Sequence, residues 1–183
     1  LGLMHSDIRT AYDKELRARP DYERTLCEML TASGADAVVF WRDFLSGVSP
    51  TSFPQRNIVR SESYTITRAE RACGLPASQL SAFAKRNNVT LQTLGQTAYA
   101  CMLASHAQSL DVTFGSVLSG RDDERAAELL FPTMNTVAIR TILHGTRLEM
   151  LQYVQENFVQ IQQYQHFPLR KVQALAGSQG PLF

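Results

Sequence analysis

Apolar residues recur at helical spacing along most of this chain and take strand-like patterns in only three places. Over residues 4–17, Met4, Ile8, Ala11, Tyr12 and Leu16 share one side of a helix with charges between them, and Pro20 closes it. Residues 21–30 predict a short second helix, broken by Ser33-Gly34. A third helix, with Asp36 as its expected N-cap, carries Ala37-Val38-Val39-Phe40-Trp41 and stops at Gly47. Ser49-Pro50-Thr51-Ser52-Phe53-Pro54 reads as a linker, with an expected boundary between residues 1–50 and 51–183. Residues 62–67 alternate as a strand, and residues 76–85 form an amphipathic helix ended by Asn87-Asn88. Residues 90–106 are apolar around most of the helical girth, which predicts a central, buried helix.

Two further stretches have strand character. Asp111-Val112-Thr113-Phe114-Gly115-Ser116-Val117-Leu118 reads as a buried, β-branched strand running into the turn Ser119-Gly120-Arg121. Phe131-Pro132-Thr133-Met134-Asn135-Thr136-Val137-Ala138-Ile139-Arg140 is a turn feeding another strand, with a polar Asn-Thr pair at its mouth. A long helix over residues 147–163 and a short one over 168–176 follow. Strands interspersed with helices predict the α/β class, a mixed sheet flanked by helices.

The two strand mouths are the candidate chemistry. Glycine and polar residues at the ends of adjacent strands suit the wall of a ligand channel, so the candidate site residues are Asn135, Gly115, Ser119, Arg121 and Thr136. Each also has a plainer reading. Asn135 can cap a turn, Gly115 and Gly120 can serve tight backbone geometry, and Arg121 can pair with Asp122, Asp123 or Glu124. Trp41 reads as packing, and His166 as a surface residue. His5, His106 and His144 stand alone and receive no role.

Composition narrows the field. The 183 residues suffice for one sizeable domain or two small lobes, and 44% apolar with 19% charged residues suits a packed core. A net charge of +1 without a basic block gives no ground for a nucleic-acid partner. No apolar run reaches the ~20 residues of a membrane span. Cys27, Cys73 and Cys101 are far apart and odd in number, which reads as reduced thiols packed as small apolar groups in the cytoplasm, and no spacing with histidine suggests a metal. Both ends read as cut, without an initiator methionine at one and with an apolar Gly180-Pro181-Leu182-Phe183 at the other, so the chain is expected to be a piece of a larger protein.

Four segments in order resemble the core motifs of nonribosomal peptide synthetase condensation domains. Ala37-Val38-Val39-Phe40-Trp41 looks like the family's aromatic-Ala-Val-Trp motif. Asn135, Thr136 and Arg140 match a Phe-Val-Asn-Thr motif and its downstream arginine, with Met134 in place of valine. Tyr164-Gln165-His166-Phe167-Pro168-Leu169-Arg170 is similar to Gln-x-x-Pro-Phe-Glu, with departures at Leu169 and Arg170. Gly180-Pro181-Leu182-Phe183 resembles Asn-Pro-Leu-Phe. The wording of several segments looks fungal, and hydroxamate siderophore synthetases are the subgroup it suggests.

The resemblance implies a two-lobed, chloramphenicol-acetyltransferase-like fold. Residues 1–50 would trail from the N-terminal lobe, and residues 51–183 would form the C-terminal, acceptor-side lobe. It implies amide-bond formation between an acyl or peptidyl thioester and an aminoacyl thioester. No cofactor would be bound directly, because the reactants ride on phosphopantetheine arms of partner carrier domains. The partners implied are peptidyl carrier domains, an adjacent adenylation domain and the missing N-terminal lobe, with neither nucleic acid nor membrane. The family's catalytic signature, His-His-x-x-x-Asp-Gly, does not occur in these 183 residues, so this stretch alone is expected to be inactive. Two alternatives stay open: a degenerate condensation domain that only docks carriers, and a coenzyme-A-dependent acyltransferase of the same fold.

Overall fold

The structure, a computed structural model, describes residues 2–13, 15–16, 18–31, 34–52, 68–121, 124–177 and 181–183. The strand expected over residues 62–67 lies outside the described residues. Three helices come first, α1 (Gly2–Asp13), α2 (Tyr22–Thr31) and α3 (Ala35–Phe44), followed by α4 (Ala77–Arg86) and α5 (Leu91–Ala107). Then β1 (Asp111–Leu118), α6 (Glu124–Ala127), β2 (Asn135–Ile142), α7 (Arg147–Gln163) and α8 (Leu169–Leu175) complete the order. The helix and strand mixture agrees with the α/β expectation, and among the described residues the sheet is the single pair β1–β2. The pair is antiparallel: Leu143 N donates to Leu110 O at one end, and Thr133 Oγ1 donates to Ser119 O at the other.

The chain forms two compact units. The first comprises Leu1–Val48, Gly115–Ile139 and Ile161–Pro181; the second comprises Ser49–Phe114, Arg140–Gln160 and Leu182–Phe183. Each strand therefore lies partly in each unit.

The first unit is organised by aromatic packing on α3. Trp41 and Leu45 are fully buried. The Phe40 ring meets Trp41 edge-on at 5.1 Å and stacks on Tyr164 at 4.7 Å. Helix α8 packs on α3, with Val172 turned inward. Gly34, in extended conformation, holds the N-cap position of α3, and Asp36 sits in the first turn. This corrects the expected cap. An acidic residue is favourable in the first turn too, where unpaired N–H groups carry partial positive charge, so residue type alone does not separate the two positions.

In the second unit, α4 packs on α5, and Ala84, Val89 and Leu151 form a core against which Leu94 lies. Thr90 caps α5 by accepting from Thr93 N at 3.1 Å. Gln155 on α7 ties this end down, its Oε1 accepting from Thr90 N at 2.9 Å and from Thr93 Oγ1 at 2.7 Å. Leu182 is fully buried and its carbonyl accepts from Thr51 N. Thr51 Oγ1 in turn accepts from Thr113 N, so Thr51 joins the segment at Leu182 to β1.

Helix α5 departs from its expected setting. Its buried face is Thr93, Gln96, Thr97, Ala100, Leu103 and Ala104, whereas Leu91, Tyr99 and Met102 are exposed. Small and polar residues let backbones approach closely, so the larger apolar residues turn outward. The cysteines also depart from expectation, since all three are exposed. Cys101 follows Ala100, which takes the inward position on that turn. Helix α7 agrees with its predicted span, and its buried Leu151, Val154, Phe158 and Ile161 form one stripe.

Arg140 and Asp111 join β2 to β1 within the second unit. The guanidinium donates from Nε to Oδ1 at 3.0 Å and from Nη2 to Oδ2 at 2.7 Å, a forked geometry with Arg140 mostly buried. The hydrogen bond to the Asp111 carboxylate pushes the Arg140 pKa further up. Asp111→Asn alone is expected to lose about 1.5–3 kcal/mol of stability. Asp111→Asn with Arg140→Met should lose less than the two single changes added together, because no buried charge is then left unpaired. Urea midpoints of the four proteins measure this.

Candidate functional site

The predicted strand mouths come together in the first unit. Gly120 has φ +62°, a left-handed backbone that glycine adopts without strain, and it bends the chain directly after β1. The bend brings its backbone hard against Thr133. A Cβ at Gly120 would overlap Thr133 O and would lie 2.7 Å from Cε1 of His166. Thr133 Oγ1 donates to Ser119 O at 2.6 Å, closing the approach from the other side. Sequence reasoning singled out neither Thr133 nor the contact with His166, although both residues lie inside segments it had marked.

Asn135 opens β2, half-buried, and its side-chain hydrogen bonds among the described residues are all with main chain. Nδ2 donates to Gln165 O at 2.7 Å and to Phe167 O at 3.2 Å, while Oδ1 accepts from Thr136 N at 2.9 Å. Gln165 and Phe167 are themselves buried, at 2% and 3% exposure, so the turn between α7 and α8 is seated in the core and tied to β2 by one amide. Both N–H bonds of the amide are thereby engaged, which leaves Asn135 no donor for a developing oxyanion in this conformation. Thr136 contributes its backbone N–H to the same arrangement.

Arg121 is a main-chain clamp. Nη1 donates to the carbonyls of Ala126, Ala127 and Leu129 at 2.7, 3.0 and 3.0 Å, and Nη2 reaches Phe131 O at 3.2 Å. A planar cation suits the cluster of carbonyls left at the end of the short α6. Of its expected partners Asp122, Asp123 and Glu124, the first two lie outside the described residues. Ser119 is exposed and its Oγ lies 3.4 Å from Arg121 N. Gly115 stands apart from this cluster, four residues back along β1, where Gly115 and Val117 are exposed. The strand read as buried throughout is buried over Val112, Thr113 and Phe114 and again at Leu118.

The structure thus gathers Ser119, Arg121, Asn135 and Thr136 at one end of the strand pair, with Gly115 farther along. The chemistry available there is hydrogen bonding and shape; the five include the hydroxyls of Ser119 and Thr136 but no His, Asp, Glu, Lys or Cys to act as a general base. Trp41 is packing, as read. His5 and His106 stay outside this cluster, and His144 packs beside Tyr153 in the second unit. Among the described residues, no group of three or more His, Cys, Asp or Glu is placed to hold a metal, and no helix is long and apolar enough to cross a membrane.

The second unit carries cavities of its own. One of about 620 Å³ is lined mainly by apolar residues, Leu75, Leu80, Phe83 and Leu94 among them, with Gln79 and Arg86 as its polar members. Another of about 430 Å³ lies beside Cys101, Ser105 and Gln108.

A model of the family described as "Condensation domain" matches residues 21–183. The chain is 52% identical over 184 residues to "Nonribosomal peptide synthetase 2" of Cochliobolus heterostrophus, an alignment covering 100% of this chain and 3% of that protein. It is 32% identical over 135 residues to "Hydroxamate-type ferrichrome siderophore peptide synthetase" of Schizosaccharomyces pombe, covering 70% of this chain and 3% of that one. The chain therefore spans a small fraction of the curated relatives it matches. Among solved structures, the first condensation domain of the calcium-dependent antibiotic synthetase, in complex with a substrate analogue, superposes with a TM-score of 0.65 at 16% identity. That alignment covers 96% of this chain and 43% of the solved one, and it speaks to the fold.

Proposed function

This chain belongs to the condensation-domain family, and from that premise we propose that it is the rear part of a condensation domain in a fungal nonribosomal peptide synthetase that makes a peptide or siderophore. Residues 51–183 form the C-terminal, acceptor-side lobe in this reading, and residues 1–50 trail from the N-terminal lobe. The observation that carries it is the family match across residues 21–183, nearly the whole chain. The fungal synthetases among its relatives support the setting.

The reaction joins two carrier-bound thioesters. The neutral amine of the downstream aminoacyl group attacks the carbonyl carbon of the upstream thioester. A C–N bond forms, the tetrahedral oxyanion collapses, and the C–S bond breaks. The upstream arm leaves as a thiol that takes up the proton lost by the amine. Most of the barrier reduction is positional: holding two tethered reactants in line is worth roughly 7–11 kcal/mol. A general base typically adds about 10²–10⁴-fold. Gly115, Ser119, Arg121, Asn135 and Thr136 border the passage for the acceptor arm in this reading. Arg121 and Asn135 act by fixing backbone, through their hydrogen bonds to main-chain carbonyls. The phosphopantetheine arms belong to partner carrier domains, and the synthetase works in the cytoplasm beside its adenylation domain.

Mixing the complete domain with loaded donor and acceptor carriers is expected to give the dipeptidyl thioester on the acceptor carrier, seen by mass spectrometry of the intact protein. Residues 1–183 alone should give none. Carrier binding without product would point to a docking role. Product from coenzyme A thioesters without carriers would point to a free-standing acyltransferase.

A further inference from the structure

We propose that Asn135 is the positioning residue that holds the turn over residues 165–167, and with it the His166 ring, against Ser119-Gly120-Arg121, so that the two turns together make one rigid stretch of wall beside the acceptor arm. The proposal deepens the reading of the chain as a condensation domain and rests on it. Three observations lead there. The Asn135 amide spans from the start of β2 to two carbonyls about thirty residues onward, at 2.7 and 3.2 Å. Its oxygen is held by Thr136 N, which fixes the amide orientation so that both N–H bonds face the turn. Gly120 leaves no room for a side chain between its own backbone and the His166 ring, so the ring rests directly on the glycine turn. The flanking Gln165 and Phe167 are buried, which leaves half-exposed His166 as the residue of this turn segment displayed beside Gly120. Asn135 thus sets where His166 stands without meeting the substrate itself.

Asn135→Asp separates this role from bulk. The variant has the same shape and keeps the oxygen that accepts from Thr136 N. As a carboxylate it turns an anion toward two carbonyl oxygens, and the tether is lost. Once protonated it offers one O–H to Gln165 O, and the tether partly returns. Proximity to the carbonyls disfavours the ionised form, so this carboxyl titrates above the ordinary range.

In the complete domain with carrier-bound substrates, Asn135→Asp should be ten- to a hundredfold slower than wild type at pH 8 in single turnover at saturating acceptor. The ratio to wild type should recover several-fold toward pH 6, and the same recovery in a His166→Gln background would assign it to the new carboxyl rather than to the imidazole. Asn135→Ala should be as slow with no recovery. Hydrogen exchange at the Phe167 amide, which donates to Tyr164 O, is the readout independent of turnover. It should be faster in both variants at pH 8 and should slow again, relative to wild type, only in Asn135→Asp at low pH. An unchanged rate, a loss equal at every pH, a loss confined to KM, or unchanged Phe167 exchange overturns the proposal. If wild type itself makes no amide from carrier substrates, the functional reading fails instead, and the exchange data still decide the tether.

Discussion

Gly120→Ala is expected to destabilise the first unit by about 2–5 kcal/mol and to abolish most amide formation by the complete domain. Two effects add. A non-glycine residue at φ +62° costs about 1–2 kcal/mol by itself. The new Cβ then meets the carbonyl oxygen of Thr133 and lies 3.2 Å from its carbonyl carbon, both main-chain atoms that no rotamer change can move aside. Relief requires the Ser119-Gly120-Arg121 turn to lift, which breaks the 2.6 Å bond from Thr133 Oγ1 and dislodges the His166 ring. Overpacking of that kind typically costs a further 1–3 kcal/mol. Gly47→Ala is the matched control: its φ is +69°, but nothing lies within 4 Å of its Cβ position. It should lose only the backbone contribution. Urea midpoints of the two variants check this, and equal losses would show that the close approach at Gly120 carries no weight.

Trp41→Ala should be of similar or larger effect, about 3–5 kcal/mol. Trp41 is fully buried beneath Phe40 and Phe44, at 5.1 and 6.0 Å between ring centres. Its removal leaves a cavity under the stack that links α3 to Tyr164. Trp41→Phe should cost well under half as much. Nε1 of Trp41 is buried with no hydrogen-bond partner among the described residues, so phenylalanine loses ring volume yet removes an unsatisfied donor. Comparable destabilisation by the two substitutions would mean that Nε1 has a partner after all.

What the sequence disclosed was periodicity and position. Helix α7 was legible because Leu151, Val154, Phe158 and Ile161 recur at helical intervals between polar residues. The turn after β1 was legible because glycine marks it. The setting of α5 was not: apolar residues surround it, so nothing in their order says that Thr93, Gln96 and Thr97 face inward while Leu91 and Met102 face out. The site was legible as a pair of strand mouths, and Asn135 stood out for its place in a motif. Its function as a tether was hidden, because its partners are the carbonyls of Gln165 and Phe167, and any residue has a carbonyl. The clamp made by Arg121 was hidden for the same reason. Its guanidinium is taken up by four backbone oxygens whose convergence is a product of the fold and leaves no trace in the order of residues.

The chain passes from one compact unit to the other at five points, after Val48, Phe114, Ile139, Gln160 and Pro181. A chimeric synthetase spliced once between α4 and the start of α7 would therefore combine parental halves inside both units at once, with mismatched cores in each. Recombination between related assembly lines is better served by junctions outside this stretch, so that all 183 residues are inherited from a single parent.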